Sequence, residues 1–148
     1  MTAASDELHG AAAARLGDRE QRYTTNRRAI VAALAAHTAP VTLPELLRTR
    51  PGLSQSSTYR NLATLEDAGV VRRVVSSGEH AHFELAEDLT GHHHHLVCVG
   101  CGTIEDVTLD PALERSLDGA FAAAAAARGF ELGGHSIDIE GRCRACRG

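Results

Sequence analysis

QSSTYRNLATLEDAG, residues 55–69, and VVRRVVS, residues 70–76, decide the fold of the first half of this chain. In the first stretch Leu62 and Leu65 recur at helical spacing, and Gly69 is a typical residue at the end of a helix. After Gly69 the apolar pattern changes from a period of 3.6 residues to a period of about 2. The sequence therefore predicts a helix over 55–69 that leads directly into a β-strand.

Two shorter helices are predicted upstream of this one, and residues 11–22 also have helical character. TTNRRAIVAALAAH carries an apolar stripe at helical spacing behind a capping Thr24 or Thr25. The loop TAPVTL ends near Thr42, a second capping residue, and PELLRTR then begins a short helix with Pro44 in its first turn. The first half thus contains a helix, a short helix and a third helix in sequence.

A β-hairpin follows these helices. VVRRVVS and HAHFEL both have strand character, and Ser77-Gly78 between them is a typical hairpin turn. Three helices followed by a hairpin is the element order of a winged helix-turn-helix, a DNA-binding fold. The alternative is a generic small helical domain with a β-hairpin.

The second half reads as a small α/β unit. We predict a strand HHHHLVC, a knuckle turn at VGCG, a strand TIEDV, a long helix between Asp110-Pro111 and Gly129, and a last strand HSIDIEG. A unit of this size buries little by itself, which favours dimerisation. The fold class is α+β, an N-terminal winged helix-turn-helix domain plus a small C-terminal α/β dimerisation domain with a four-cysteine zinc knuckle. The predicted boundaries are a flexible N-terminus at 1–10, a winged-helix DNA-binding domain at 11–85, a hinge at 86–91 and a dimerisation and metal-binding domain at 92–148.

Charge is distributed unevenly along the chain, although the net charge is only −4. Ten arginines and five acidic residues lie between Arg15 and Arg73, whereas twelve acidic residues and two arginines lie between Glu79 and Glu140. All the basic residues are Arg, the better partner for phosphate and guanine. We expect the first half to meet an anion and the second half to meet cations. No apolar run approaches the ~20 residues that span a bilayer and no signal peptide is evident, so we expect a soluble, cytoplasmic protein without a membrane partner.

The predicted recognition helix presents polar and basic residues at its N-terminal end, which is the end that reaches DNA bases and phosphates. Arginines at the start of the preceding helices and on the wing are candidates for further phosphate contacts. The alternative is that Tyr59 packs in the core and Arg60 is a solvated charge. The candidate DNA-binding residues are Arg22, Arg27, Arg28, Ser56, Ser57, Thr58, Tyr59, Arg60, Arg72 and Arg73.

The four cysteines form two Cys-x-x-Cys pairs, Cys98 with Cys101 and Cys143 with Cys146. Each pair presents two thiolates at the spacing that binds one tetrahedral ion, and two pairs make a closed four-thiolate site. Closed coordination leaves no open position for a substrate, so the predicted ion is a structural Zn²⁺. A redox role for the cysteines is the alternative.

The four consecutive histidines, residues 92–95, lie in a predicted strand. Side chains alternate between the faces of a strand, so His92 and His94 point one way and His93 and His95 the other. One tract can then supply two metal sites, and the alternative is that some of these are exposed surface histidines. Histidine with carboxylate suits zinc, iron, manganese or nickel. His9 and His37 are predicted not to be ligands, and the further candidate ligands are His80, His82, Glu84, Asp106, Glu114 and His135.

Taken together, the winged helix, STYRNL, LEDAGVV, FEL, the HHHHLVC block and the final Cys-x-x-Cys resemble the ferric uptake regulator family over residues 22–148. These are dimeric, metal-dependent repressors. The resemblance implies a structural zinc on Cys98, Cys101, Cys143 and Cys146. It implies a regulatory metal on Glu84, His93, His95 and Asp106, and a second metal on His92, His94, Glu114 and His135.

The sequence departs from the family pattern at two positions. Many iron and peroxide sensors of the family have a metal-binding His where Pro40 stands, and many zinc sensors have a Cys near the position of Ala86. His80 or His82 is the candidate to replace such a ligand, because both share a strand face with Glu84. We therefore add His82 to the predicted regulatory set.

The resemblance predicts a repressor of metal homeostasis genes, above all of zinc uptake, that binds double-stranded operator DNA as a homodimer. Its expected cofactors are a structural Zn²⁺ and a regulatory Zn²⁺ or Fe²⁺, with Mn²⁺ or Ni²⁺ as further options. An iron- or manganese-responsive repressor or a peroxide sensor is the alternative within the family. A metalloenzyme and a zinc-ribbon interaction protein are more distant alternatives. No HExxH motif and no nucleophile elbow occur, so we expect no enzymatic activity and no small organic substrate.

Overall fold

The computed structural model describes residues 2–76, 78 and 80–148 and consists of a helical first half with a small sheet and a second half built on another sheet. The elements in chain order are α1 (Ala3–Gly17), α2 (Thr25–Ala35), β1 (Val41–Thr42), α3 (Leu43–Thr49), α4 (Gln55–Asp67), β2 (Val71–Val74), β3 (His82–Leu85), α5 (Glu87–Thr90), β4 (His94–Cys98), β5 (Ile104–Val107), α6 (Pro111–Ala126) and β6 (Asp138–Gly141).

The predicted starts of α2 and α3 agree with the capping interactions. Thr24 caps α2 by accepting from the Arg27 N–H at 3.3 Å. Thr42 and Glu45 form a reciprocal capping box at the start of α3, in which the Thr42 N–H donates to Glu45 Oε2 at 2.7 Å. These side chains satisfy N–H groups that have no partner inside a helix.

The N-terminal segment differs from its prediction. Residues 1–10 were expected to be flexible and 11–22 helical, but α1 begins at Ala3 and ends at Gly17. The helix is held because Ala12 and Leu16 are fully buried in the core, with Leu8 packed against it. His9 is also buried, and its Nδ1 lies 2.5 Å from the Tyr23 hydroxyl.

The first-half sheet has the strand order β1-β3-β2, with antiparallel pairs on both sides of β3. The two residues of β1 lie in a segment that was predicted to be a loop, and they pair with Phe83 and His82. β2 and β3 are the predicted wing strands, although Ser77 of the predicted turn Ser77-Gly78 lies outside the described residues. This sheet packs with α2 and α4 around a core whose largest members include Leu16, Ile30, Leu46, Leu62 and Leu65.

The second-half sheet has the order β5-β4-β6, so that β4 is central. β5 is antiparallel to β4, whereas β6 is parallel and pairs His95 with Asp138. Between the sheets, the segment 86–91 predicted as a hinge contains the single helical turn α5. Helix α6 begins at the predicted Asp110-Pro111 and has no buried residue in the single chain.

Candidate metal centres and nucleic-acid interface

The four cysteines come together at the end of the second-half sheet. Their Sγ atoms all lie within 4.8 Å of one another, and all four thiols are free. Cys98 ends β4, and the second pair follows β6, which is parallel to β4. Gly100 allows the two pairs to approach, because a Cβ at that position would lie 3.1 Å from Cys146 Sγ. The predicted four-cysteine cluster is therefore present.

The protonation of these thiols fits a site that needs a cation. The Cys143 N–H donates to Cys98 Sγ at 3.3 Å, and this bond is the main reason that the pKa of Cys98 falls to about 6. At the other extreme, Cys143 and the other neighbouring thiols raise the pKa of Cys146 to about 12. Four thiolates repel one another in so small a volume, and a divalent ion removes that repulsion. The donor set fits Zn²⁺.

A second cluster, which we call the bridging cluster, consists of Glu84, His93, His95 and Asp106. Glu84 lies on β3 of the first half, His95 on β4, and Asp106 on β5 opposite His95. Nε2 of His93 and Nε2 of His95 each lie 3.1 Å from Glu84 Oε2, and they lie 3.8 and 3.9 Å from the oxygens of Asp106. A tetrahedral ion with bonds of ~2.0–2.3 Å holds its ligand atoms roughly 3.3–3.8 Å apart, so the residues fit one.

Both histidines of the bridging cluster are oriented through their second ring nitrogen. His93 Nδ1 donates to the Gly91 carbonyl at 2.9 Å, and His95 Nδ1 donates to Asp138 Oδ1 at 3.0 Å. Such bonds fix the tautomer and leave Nε2 directed at the ion.

Mutual charge pairing governs the protonation of the bridging cluster. Burial by itself would raise the pKa of Glu84, but hydrogen bonds from His95 and His93 and the charge of Arg72 outweigh burial and lower it. The hydrogen bond to Glu84 is the main cause of the raised pKa of His95. For Asp106, burial raises the pKa. Without an ion, the carboxylate of Glu84 therefore favours the protonated form of the two histidines.

A third cluster, the C-terminal cluster, consists of His92, His94, Glu114 and His135 and lies on the other side of β4. The carboxylate of Glu114 is central: its oxygens lie 2.7 Å from His94 Nε2, 3.3 Å from His92 Nε2 and 3.4 Å from His135 Nε2. His135 Nε2 is buried and has no hydrogen-bond partner among the described residues. A metal ion at this point would satisfy it, so the donor set fits one.

The C-terminal cluster has its own orienting carboxylates. Asp118 Oδ1 lies 3.0 Å from His135 Nδ1, and Glu87 contacts His92 Nδ1. The sequence prediction missed these two acids, together with Gly91 and Asp138, and it assigned Arg72 to phosphate contacts. Only Asp118 had a sequence signal, because it follows Glu114 by four residues on one helix and so shares its face.

His82, which was added to the regulatory set, does not join the bridging cluster. It pairs with Thr42 and Val74 at the far end of β3, where burial lowers its pKa and the charge of Glu45 only partly opposes that shift. Two residues along a strand are ~6.6 Å apart, which takes its imidazole out of ligand reach of Glu84. His80 is exposed and is also outside the cluster.

The N-terminal end of α4 presents some of the predicted DNA-binding residues to solvent. Ser56 and Arg60 are exposed, and the Tyr59 side chain is 54% exposed, so Tyr59 does not pack in the core. Thr58 is 1% exposed and its hydroxyl donates to the Ser54 carbonyl at 2.8 Å, which conflicts with its prediction as a DNA contact. Ser57 is half-buried, and its Oγ accepts from Asn61 Nδ2 at 3.3 Å.

The predicted arginines divide into exposed and engaged groups. Arg22 is exposed, whereas Arg27 is held by Asn61 Oδ1 at 3.0 Å and by the Arg22 carbonyl at 2.6 Å. On β2, Arg73 pairs with Glu66 on α4 at 3.2 Å, but Arg72 pairs with Glu84. Arg72 therefore faces the bridging cluster, and its prediction as a phosphate contact conflicts with this position.

None of the helices in the described part of the chain is long and apolar enough to cross a membrane.

Comparison with known proteins agrees with this architecture. The sequence model of the ferric uptake regulator family matches residues 18–140. The ferric uptake regulation protein of Legionella pneumophila is 34% identical over 102 residues, which cover 69% of this chain and 70% of that protein. The peroxide operon regulator of Bacillus subtilis is 27% identical over 129 residues, covering 84% of this chain and 83% of that protein. The solved structure of the Helicobacter pylori ferric uptake regulator, 20% identical, has the same fold, with a TM-score of 0.74 over 97% of this chain and 94% of that one.

A winged-helix half joined through a cluster of metal-ligand residues to a second half defines a class of metal-responsive DNA-binding regulators. This chain belongs to the ferric uptake regulator family. The family consists of metal-responsive transcriptional repressors that bind DNA as dimers. The resemblance found in the sequence, and the mixed fold with a winged helix and a four-cysteine cluster, are thereby confirmed.

Proposed function

We propose that this chain is a zinc-responsive repressor of metal-homeostasis genes, above all those for zinc uptake, and that the bridging cluster is its sensor. The proposal rests on one observation: Glu84 belongs to the winged-helix half, whereas His93, His95 and Asp106 belong to the second half. An ion held by both sets of ligands binds only the arrangement in which the two halves are close. Metal binding then selects that arrangement.

Closure acts on DNA through the dimer. In a two-fold homodimer, the position of each winged-helix half sets the separation of the two α4 helices, which must match successive major grooves of double-stranded operator DNA. Exposed apolar side chains support a dimer contact through the second half. Phe130 is 73% exposed and Leu113 is 47% exposed in the single chain, and α6 has no buried residue.

The choice of zinc rests on the donor sets. Four thiolates select a structural Zn²⁺, and two imidazoles with two carboxylates make a four-ligand set that tetrahedral Zn²⁺ accepts readily. By the same donor chemistry, the C-terminal cluster is proposed as a second metal site that stabilises the dimerisation half. Iron(II), manganese and nickel remain the competitors that an experiment must include.

The test is operator affinity, measured on the promoter of the chain's own gene with each of the four metals. For the wild-type protein we expect zinc to raise the affinity by about 100-fold, within the usual range of allosteric coupling. The His93→Ala/His95→Ala double variant should fold but lose this response. His80→Ala, at an exposed histidine outside the clusters, is the matched control. If the double variant still binds only with metal, the bridging cluster is not the sensor.

A peroxide sensor is the second candidate function, because the Bacillus subtilis relative is a peroxide operon regulator and matches 84% of this chain. The same histidine and carboxylate ligands accept iron(II). That function requires iron(II) to support DNA binding and hydrogen peroxide to abolish it. Under our zinc proposal, the zinc-loaded protein binds the operator at lower total metal than the iron-loaded protein does.

A further inference from the structure

Arg72 lies directly across from Glu84, the member of the bridging cluster that comes from the winged-helix half. The two residues are partners in the β2–β3 register. Arg72 Nε donates to Glu84 Oε1 at 3.0 Å, and Arg72 Nη2 lies 2.9 Å from the same oxygen. Both guanidinium contacts therefore fall on one oxygen of the carboxylate.

The other oxygen of Glu84 faces the cluster. Oε2 lies 3.1 Å from both His93 Nε2 and His95 Nε2, while Oε1 makes neither contact. The two oxygens of the carboxylate thus have different partners. Oε1 binds the Arg72 guanidinium, and Oε2 faces the histidines of the bridging cluster.

This division limits how Glu84 can bind a metal. A carboxylate with two free oxygens can bind through both, which raises the coordination number, whereas one with a single free oxygen contributes one ligand atom. Zn²⁺ prefers four ligands in a tetrahedron, and Mn²⁺ prefers six, largely oxygen. The number of free carboxylate oxygens therefore affects whether the site prefers a four-coordinate or a six-coordinate ion.

We propose that Arg72 is a specificity-determining residue of the bridging cluster: it occupies Oε1, confines Glu84 to binding through Oε2, and so favours a four-coordinate ion. This inference rests on the proposed metal-sensing role of the cluster. An arginine suits the task because its guanidinium is always charged and its donors are fixed in a plane. Arg72 is also half-buried, so water competes less for the pair than at an open surface.

The neighbouring arginine provides a matched control in the same strand. Arg73 points to the opposite face, where it pairs with Glu66 at 3.2 Å and lies over the Phe83 ring at 5.3 Å. Arg72→Leu and Arg73→Leu remove the same charge from the chain, but only the first frees Glu84 Oε1.

The experiment uses the full chain with zinc in its four-cysteine site and with Glu114→Gln and His135→Ala, which leave the C-terminal cluster only two of its four ligands. Co²⁺ is added as a probe, because tetrahedral Co²⁺ absorbs visible light far more strongly than five- or six-coordinate Co²⁺. Zn²⁺ and Mn²⁺ dissociation constants are then measured by competition. For Arg72→Leu we expect weaker absorption per bound Co²⁺ and a Mn²⁺-to-Zn²⁺ ratio of dissociation constants that falls by about tenfold, with Arg73→Leu unchanged.

Three outcomes would overturn the inference. An Arg72→Leu protein with the parental spectrum and ratio would show that Arg72 does not limit Glu84. One that no longer binds Co²⁺ would show that Arg72 is needed to orient Glu84 and does not restrict it. A parental protein that binds no Co²⁺ outside the cysteines would overturn the sensing role of the cluster as well. If Arg72→Leu does not fold, Arg72→Gln repeats the measurement with a neutral polar side chain.

Discussion

The bridging cluster and the C-terminal cluster lie on opposite sides of one strand and are built from alternate residues of one histidine tract, yet they differ in where the carboxylate comes from. Glu84 of the bridging cluster lies on β3, in the other half of the chain, whereas Glu114 of the C-terminal cluster lies on α6 of the same half. The first cluster therefore depends on how the two halves sit together, and the second depends only on the fold of its own half. The same ligand types can therefore couple metal binding to the arrangement of the two halves or stabilise one half, depending on which elements carry them.

The carboxylates of the two clusters also differ in burial. Glu84 is buried and Glu114 is half-buried, although each cluster has one buried histidine, His95 or His94, and one exposed member. Buried ligands interact more strongly with an ion because the effective dielectric constant around them is lower than in water. We therefore expect the bridging cluster to couple metal binding to conformation more strongly than its neighbour does.

We expect the largest effect from a change in the four-cysteine site, because this site stabilises the half of the chain that carries both histidine clusters. Cys143→Ser takes one thiolate from the four-cysteine site, whose binding energy is folding energy for a small unit. Because Cys98 ends β4, which carries one histidine of each cluster, we expect the second half to lose its cooperative thermal transition and its zinc. Calorimetry with zinc analysis measures both. Arg144→Ala changes an exposed residue between Cys143 and Cys146 and should alter neither the thermal transition nor the zinc content. A folded, zinc-free Cys143→Ser protein would contradict the structural role.

The next effect separates the clusters by their carboxylates. Glu84→Ala removes the ligand that the winged-helix half contributes to the bridging cluster, so the ratio of operator affinities with and without zinc should fall from about 100 to about 1. Glu114→Ala should keep that ratio and instead lower the zinc-dependent thermal stability of the second half. Fluorescence anisotropy with operator DNA and thermal melting distinguish the two. Loss of the DNA response in Glu114→Ala alone would reverse the assignment of the two clusters.

A smaller effect comes from the residues that orient the histidines. Asp138 holds His95 Nδ1 in the bridging cluster and Asp118 holds His135 Nδ1 in the C-terminal cluster, each at 3.0 Å. Changing either to Asn should weaken metal binding at its own cluster by about 10–100-fold and leave the other unchanged. Isothermal titration of each variant with zinc tests this, and an equal loss at both clusters would show that they are not independent.

Much of this arrangement follows from the sequence because short-range geometry controls it. The alternation of side chains along β4 divides the histidine tract, and the division holds even though His92 and His93 precede the strand. The burial of Thr58 could also have been predicted from the sequence. Thr58, Leu62 and Leu65 are spaced by four and three residues, which places Thr58 on the buried face of α4.

Other features depend on contacts between distant parts of the chain. Asp138 reaches His95 only because β6 pairs with β4 in parallel, across 43 residues of sequence. Arg72 and Arg73 point to opposite faces of β2, and their sequence does not reveal which face meets Glu84. The early start of α1 was missed because its packing face is narrow: Leu8, Ala12 and Leu16 recur every fourth residue, and the face is shared with the polar His9.

The smallest expected effect concerns pH in the metal-free protein. The hydrogen bond to Glu84 is the main reason that the pKa of His95 lies above 6.5, so Glu84→Gln should lower the pKa of His95 while Glu114→Gln leaves it unchanged. In the unmodified chain, the charged pair stabilises the metal-free fold below pH 6.5, and this contribution is lost as the pH rises through the raised pKa. Metal binding has the opposite sign because Nε2 must lose its proton, and affinity should rise by up to about tenfold per pH unit for each proton displaced. NMR titration of the imidazole resonances measures the pKa, and an unchanged His95 midpoint in Glu84→Gln would show that Asp138 alone sustains the charge on His95.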